Sequence, residues 1–316
     1  MIFIGVDLGG THIGAGIVDD QNGILYKEEC PTLAYRAYEE VMQSIVDLCK
    51  SVIKNSGVDE NEIDSIGIGM PGIETPEGLA HCKNLFWHGV TLREDLAKAL
   101  GKPIYIDNDA HAAALGEVEF GSLKGASDAI MLTLGTGVGG AIIVNKHILA
   151  GYHRAGGELG HVTFVHGGIP CACGRDGCFE KYAAATALIR IGQEYAQKHA
   201  DSILHEVGES LEDITAKDVV DGAREHDTAC ELAFDNYCEY LSDGIVSFIN
   251  VLNPQKVCLG GGLSQAGDFL FDKVREKCSQ RYFSPLHMDT EIVPAMLKND
   301  AGILGAAMVA KQGEYV

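Results

Sequence analysis

Between Gly157 and Tyr182 the chain reads GELGHVTFVHGGIPCACGRDGCFEKY, gathering two glutamates, two histidines and three cysteines in one glycine-rich stretch. Cys171, Cys173 and Cys178 offer three thiolates. With one histidine they make a Cys3His set, the closed tetrahedral donor set of structural zinc. On spacing alone either His161 or His166 completes it. A catalytic zinc keeps an open position, so the metal is read as structural. The plainer reading, three unligated thiols, leaves the crowding unexplained. Glu158 lies three residues before His161, and Glu180 two after Cys178. A metal here would fix both carboxylates, good acceptors for hydroxyl groups, without a hydrophobic core beneath them.

A second reactive group is Asp107-Asn108-Asp109, where an apolar run gives way to helical sequence. Such residues cap ordinary helices, and a carboxylate at a strand's C-terminal end is also placed to act as a base. Two glycine stretches, Gly67-Ile-Gly69-Met-Pro-Gly72 and Gly135-Thr-Gly137-Val-Gly139-Gly140, match G-x-G-x-x-G. A dinucleotide site needs that motif to open a helix. The first runs into Ile73-Glu-Thr-Pro76 and the second into strand-like Ala141–Asn145, which excludes a Rossmann oxidoreductase. Gly101-Lys102 is followed by Pro103, so no Walker A loop is present either. What remains is two tight hairpin turns, at Gly9 and Gly135, whose backbone N–H groups, with the hydroxyls of Thr11 and Thr136, could clamp phosphates.

Strands and helices must alternate to hold these groups. The patterns predict strands at 2–8, 13–19, 24–29, 63–69, 103–107, 257–260 and 290–294. They predict helices at 35–56, 92–100, 109–119, 181–199, 215–225, 229–252, 264–281 and 301–311. DLGGTHIGAGIV from Asp7 aligns without gaps on TLGTGVGGAIIV from Thr133, and IGIGMPG and VCLGGG both end apolar strands in glycine turns. The repetition predicts a duplicated α/β domain.

Composition narrows the class. A net charge of −21 argues against nucleic acid, which selects clustered Lys and Arg. MIFIGVDLGG lacks a basic leader segment, and no apolar run approaches the roughly 18 residues of a membrane span. Ten cysteines without a secretion signal predict reduced thiols in a cytoplasmic protein. The seven outside the cluster are expected in the core.

The paired hairpins resemble the nucleotide site of the actin, hexokinase and heat-shock-70 ATPase superfamily. GVDLGGTHI, DNDAHAAALGE, LTLGTGVGG, GGELGH, CACGRDGCFE and CLGGGLS occur in the order found in the ROK (repressor, ORF, kinase) family. The likeness covers essentially the whole chain, and GELGH with CxCGxxGCxE is its most specific part. The resemblance implies two actin/hexokinase-like (ribonuclease H-like) α/β domains with an interdomain cleft. They would span residues 1–119 with 301–316, and 120–300 with a zinc loop at 161–178.

By the same resemblance the chain is expected to be an ATP-dependent hexose kinase, with glucose phosphorylated at O6 as the favoured reaction. N-acetylmannosamine, N-acetylglucosamine, allose and fructose stay open as substrates. Asp109 would be the base, with Gly72, Asn108, Asp109, Glu158, His161 and Glu180 binding sugar. Asp7, Gly9, Gly10, Thr11, His12, Thr136, Gly137, Gly139, Gly140, Gly261 and Gly262 would bind ATP, Asp7 acting through Mg2+. His161, Cys171, Cys173 and Cys178 would hold structural Zn2+, the resemblance selecting His161 over His166. A homodimer is implied too. The hairpins at Gly9 and Gly135 lie elsewhere in the chain than the zinc loop, which predicts that losing the metal lowers nucleotide affinity much less than sugar affinity. Two residues depart from the family's usual pattern: His12, usually Lys or another polar residue, and His111, usually Asn. The rivals are a sugar-sensing ROK repressor, whose winged helix would precede a hairpin that here begins by residue 7, and a non-catalytic sugar binder.

Overall fold

IFIGVDL and HIGAGIVD, joined by a glycine turn, alternate too weakly to leave a solvent face, and both are buried along most of their length. The computed structural model describes residues 1–313. Its N-terminal elements are β1 (Ile2–Leu8), β2 (His12–Asp19), β3 (Gly23–Pro31), α1 (Tyr38–Ser56), β4 (Ile63–Met70), β5 (Ile73–Glu74), β6 (Ala80–Cys82), β7 (Trp87–Val90), α2 (Leu92–Leu100), β8 (Ile104–Asn108) and α3 (Asp109–Phe120). Next come β9 (Ala129–Leu134), β10 (Val138–Val144), β11 (His147–Ile148), α4 (Glu180–Ala183), α5 (Ala185–Ala196), α6 (Ala216–Arg224) and α7 (Thr228–Leu252). The chain ends with β12 (Lys256–Gly260), α8 (Asp268–Ser279), β13 (Glu291–Pro294) and α9 (Ala301–Gln312).

Two five-stranded sheets share one plan. The first is ordered β3-β2-β1-β4-β8 and the second β11-β10-β9-β12-β13. In the first, β2 is antiparallel to β1 and β3, while β1, β4 and β8 run parallel. In the second, β9, β12 and β13 run parallel and β11 is antiparallel to β10. The same order on the same kind of ribbon matches the internal repeat in the sequence. A three-stranded sheet, β5-β6-β7, was not foreseen, because strands of two to four residues carry too little pattern.

The chain divides into two units. Unit 1 comprises Met1–Ala126, Ala141–Gly157 and Met296–Val316; unit 2 comprises Ser127–Gly140 and Glu158–Ala295. Relative to the expected split, residues 120–126, 141–157 and 296–300 fall in unit 1. Within unit 1, α9 lies on β1 and β4 at backbone distance. A Cβ on Gly5 would overlap the Ile303 carbonyl, and one on Gly67 the Ala306 carbonyl. α3 meets α9 as closely: a Cβ on Gly305 would overlap the Ala112 carbonyl. α1 buries Val41, Ile45, Val46, Cys49 and Val52, a stripe at helical spacing.

Three predicted helices differ in extent. α1 begins at Tyr38 rather than residue 35, because Leu33 is left-handed and Arg36 N–H closes a turn on its carbonyl at 3.0 Å. The stretch 181–199 is two helices broken at Ala184, which is extended (ψ 167) where the Ala185 N–H bonds the Gly135 carbonyl at 2.8 Å. The predicted helix 264–281 is a 3-10 turn over 262–266 followed by α8, interrupted by left-handed Gly267. Outside the 171–178 cluster, six of the remaining seven cysteines are buried and Cys30 is half-buried. Among the described residues no helix is long and apolar enough to cross a membrane.

Candidate active site

In unit 1 the β1–β2 turn is closed by its own backbone, with Gly9 N–H donating to the His12 carbonyl at 3.0 Å. It is pinned from β3's end, where the Thr32 hydroxyl donates to the Gly9 carbonyl at 2.7 Å and the Thr32 N–H to the Thr11 carbonyl at 2.8 Å. Gly10, Thr11 and His12 are exposed on this pinned turn. Asp7 precedes it, and its carboxylate lies so close to the first turn of α9 that a Cβ on Gly302 would overlap it. Burial, and then the charge of Asp109, push the Asp7 carboxyl up to about 6. A carboxylate held against its own ionisation gains most from a nearby cation, so Asp7 fits a role beside Mg2+.

Asp109 is the first residue of α3. Asn108 is the cap: its Oδ1 accepts from Ala110 N–H at 2.9 Å and from His111 N–H at 3.4 Å, so the capping reading holds for this residue. Its amide donates to the Gly72 carbonyl at 3.3 Å. Gly72 admits no side chain, because a Cβ would overlap the His81 carbonyl of β6. Asn108 thus ties α3 to the loop after β4, leaving the half-buried Asp109 carboxylate accepting from Ala110 N–H at 2.8 Å. His111 is buried, its Nδ1 3.0 Å from Asp107 Oδ1 and its Nε2 3.2 Å from the Gly156 carbonyl.

In unit 2 the β9–β10 turn repeats the first. Gly135 N–H donates to the Gly137 carbonyl at 3.0 Å, and the Thr186 hydroxyl at the start of α5 donates to the Thr136 carbonyl at 2.9 Å. Gly139 and Gly140 follow within β10. Gly261, left-handed at φ 82, ends β12 so close to β9 that a Cβ would stand 2.6 Å from the Leu134 carbonyl. That contact seats exposed Gly261 and Gly262 beside the Gly135 turn.

The zinc loop closes on itself. The Arg175 guanidinium donates to the His161 carbonyl at 2.9 Å and to the Thr163 hydroxyl at 2.7 Å, and Phe179 N–H donates to the Val162 carbonyl at 3.0 Å. The ligand atoms of His161, Cys171, Cys173 and Cys178 lie within 4.8 Å of one another, and His166 is exposed outside the group. Donors at about 2.3 Å around a tetrahedral zinc stand roughly 3.7 Å apart. Here Cys171 Sγ is 3.7 Å from His161 Nδ1, and Cys173 Sγ 3.5 Å from Cys178 Sγ. Donor chemistry and spacing therefore fit zinc, with His161 Nδ1 facing the cysteine group.

Glu180 accepts from Cys171 Sγ at 2.9 Å through Oε1, and its Oε2 would stand 2.8 Å from a Cβ on Gly137. One carboxylate thus lies against both the cysteine cluster and the Gly135 turn, distant as these are in sequence. Glu158 is exposed, just before the 3-10 turn that carries His161. Sequence reading missed Thr32, Thr186 and Arg175, which lock the two turns and the loop. Thr32 and Thr186 bond backbone atoms remote in the chain and no motif marks them; Arg175 lies within the cysteine motif, but nothing in that motif names its partners, the His161 carbonyl and the Thr163 hydroxyl.

The ROK family model matches residues 3–313. The chain is 38% identical over 313 residues to a glucokinase of Thermotoga maritima, covering 98% of this chain and 97% of that protein. It is 30% identical to a xylose repressor of Caldicellulosiruptor bescii over 97% of this chain and 77% of that longer protein. Its fold is similar to that of a ROK family glucokinase from Streptomyces griseus in complex with glucose and AMPPNP, with TM-score 0.81, 30% identity, and coverage of 99% of this chain and 100% of that one. Paired glycine turns on two sheets of one plan, a Cys3His cluster and a match over nearly every residue converge: the chain belongs to the ROK family and has its actin/hexokinase-like α/β fold.

Proposed function

We propose that the protein is an ATP-dependent hexose kinase that phosphorylates glucose at O6. The observation that carries this is a chain that resembles a glucokinase along its whole length and that sets two carboxylates in unit 1, Asp7, raised by burial and then by the charge of Asp109, and Asp109 at the start of α3. Asp109 takes the proton of the sugar's 6-hydroxyl as that oxygen attacks the γ-phosphorus. The new O–P bond forms, the bond to the β–γ bridging oxygen breaks, and its electron pair leaves with ADP. A general base supplies only about 10² to 10⁴ in rate, so positioning and charge cancellation carry most of the transfer.

Backbone donors around Gly9, Gly10, Thr11 and His12, and around Thr136, Gly137, Gly139 and Gly140, hold the phosphates. Gly261 and Gly262 lie against the adenosine. Mg2+, when bound, would neutralise phosphate charge, and Asp7 would hold it. Gly72, Asn108, Glu158, His161 and Glu180 hold the sugar. His161, Cys171, Cys173 and Cys178 would hold Zn2+, which would keep His161 and Glu180 aligned and take no part in the chemistry. His161, bound through Nδ1, leaves Nε2 for a sugar hydroxyl. We place the enzyme in the cytoplasm, where its free thiols remain reduced, and as a homodimer.

A second reading, sugar sensing without catalysis, is favoured by the likeness to the xylose repressor. Coupled ADP release over glucose, N-acetylmannosamine, N-acetylglucosamine, allose and fructose tests both. ADP formed fastest with glucose supports the proposal. Sugar binding without ADP from any of them supports the sensor.

A further inference from the structure

Glu117 is a fully buried carboxylate of unit 1, the last residue of the DNDAHAAALGE stretch, and the reaction described above gives it no role. Its Oε1 accepts from the N–H groups of Met296 and Leu297, both at 2.8 Å. Its Oε2 accepts from the Ser122 N–H at 2.8 Å and the Ser122 hydroxyl at 3.0 Å. All four acceptor positions of the carboxylate are thereby used. The chain passes between the units at four places: Ala126/Ser127, Gly140/Ala141, Gly157/Glu158 and Ala295/Met296. Met296 and Leu297 are the first residues after the last passage, and Ser122 stands four before the first. Gly156, held by His111 Nε2 at 3.2 Å, is one residue from the end of its own segment. One helix, α3, therefore grips the chain at three of its four passages.

That helix is poorly able to yield. A Cβ on Gly116 would stand 2.8 Å from the Ala301 carbonyl, and a Cβ on Gly305 would overlap the Ala112 carbonyl, so α3 and α9 are in backbone contact. α9 lies as closely on β1 and β4 through Gly5 and Gly67. Motion of the chain at the passages must begin beyond the gripped residues, at Ser127, Glu158 and Ala295. The same helix starts with Asp109.

We propose that Glu117 and His111 are positioning residues that make α3 the hinge plate of the enzyme, fixing the pivots of unit 2 to the helix that carries the base. The inference rests on the kinase reading above. Its consequence is kinetic. Loosened pivots leave Asp109 and the nucleotide turns intact but make the closed arrangement harder to reach, so sugar binds more weakly and water reaches the γ-phosphorus more often.

The test uses two variants of the full chain. In Glu117→Gln, volume is kept, but the amide NH2 must meet either Ser122 or the Met296–Leu297 pair donor to donor. In His111→Ala, the contacts to Asp107 and Gly156 are both lost. Thermal melts establish folding, and glucose phosphorylation and ADP release are then measured side by side. Either variant should raise the glucose KM about tenfold, leave the ATP KM within about twofold, and raise several-fold the share of ATP lost to water. If Glu117→Gln does not fold, His111→Ala reads the same loss at the Gly156 passage. A purely structural role lowers the melting temperature and leaves KM and coupling unchanged, and that result overturns the inference while the kinase reading stands. Wild-type protein that phosphorylates no hexose removes both.

Discussion

Replacing Cys171 by serine removes one donor of four, and a hydroxyl is a far poorer zinc ligand than a thiolate. The cluster spans the loop from His161 to Cys178, and its ligand atoms lie within 4.8 Å of one another, so the metal acts as a cross-link. Closing a loop of about 15 residues is worth roughly 3 kcal/mol of chain entropy, which at about 1.4 kcal/mol per decade is near 100-fold in an equilibrium constant. Part of that order survives metal loss. Arg175 still ties His161 to Thr163, and Phe179 still bonds Val162. The expected fall in glucose affinity is therefore about 10- to 100-fold, because Glu158, His161 and Glu180 must be ordered anew at each binding event. Nucleotide affinity should fall too, by about two- to fivefold, since Glu180 abuts Gly137 of the phosphate turn. Calorimetry with glucose and with AMPPNP separately, beside elemental analysis for zinc, measures all three quantities. Glu180→Ala is the control: sugar binding weakens while zinc stays. A zinc-free, folded Cys171→Ser protein that binds glucose within twofold of wild type would refute the clamp.

Asp7 gives a pH prediction. Its folded-state pKa of about 6 lies above the unfolded value, so its contribution to stability is fully present below about pH 4 and is lost as pH rises through about 6. Asp7→Asn should therefore raise the melting temperature of ligand-free protein at pH 7, flatten its dependence between pH 4 and 7, and lower activity; an unchanged pH profile of stability contradicts the shift. Gly67→Ala puts a methyl group onto the Ala306 carbonyl and should cost about 3 kcal/mol in urea unfolding, or prevent folding. A loss under about 0.5 kcal/mol would show that α9 can move off β4. Glucose with AMPPNP should reduce the radius of gyration measured by small-angle scattering, and identical profiles at saturation would count against closure.

Much of this was legible because local chemistry and tertiary demand coincide. Gly9-Gly10 and Asn22-Gly23 turn where the first ribbon turns, and the apolar runs of β1, β4 and β12 are buried as their composition requires. The cysteine spacing picked out three thiols that the fold gathers, yet spacing left His161 and His166 equal; folding brings His161 Nδ1 to Cys171. Ala183-Ala184-Ala185 reads as uninterrupted helix, and the break there is imposed by the Gly135 carbonyl, an atom nearly fifty residues away. Glu117 was illegible for the same reason. Its four donors all follow it in the chain, two on Ser122 and two on Met296 and Leu297, the farthest 180 positions along. Asn108 read correctly as a cap, whereas its second bond, to Gly72, depends on β4 and β8 being neighbours.

The central claim is that Asp109 is the base of a hexose kinase. Turnover of glucose by Asp109→Asn, beside AMPPNP affinity by calorimetry, tests it most directly. The asparagine keeps the shape and the first position of α3 but cannot take the hydroxyl proton. Turnover should fall by about 10² or more with nucleotide affinity unchanged within a few-fold. A variant that keeps more than about a third of wild-type turnover would contradict the assignment.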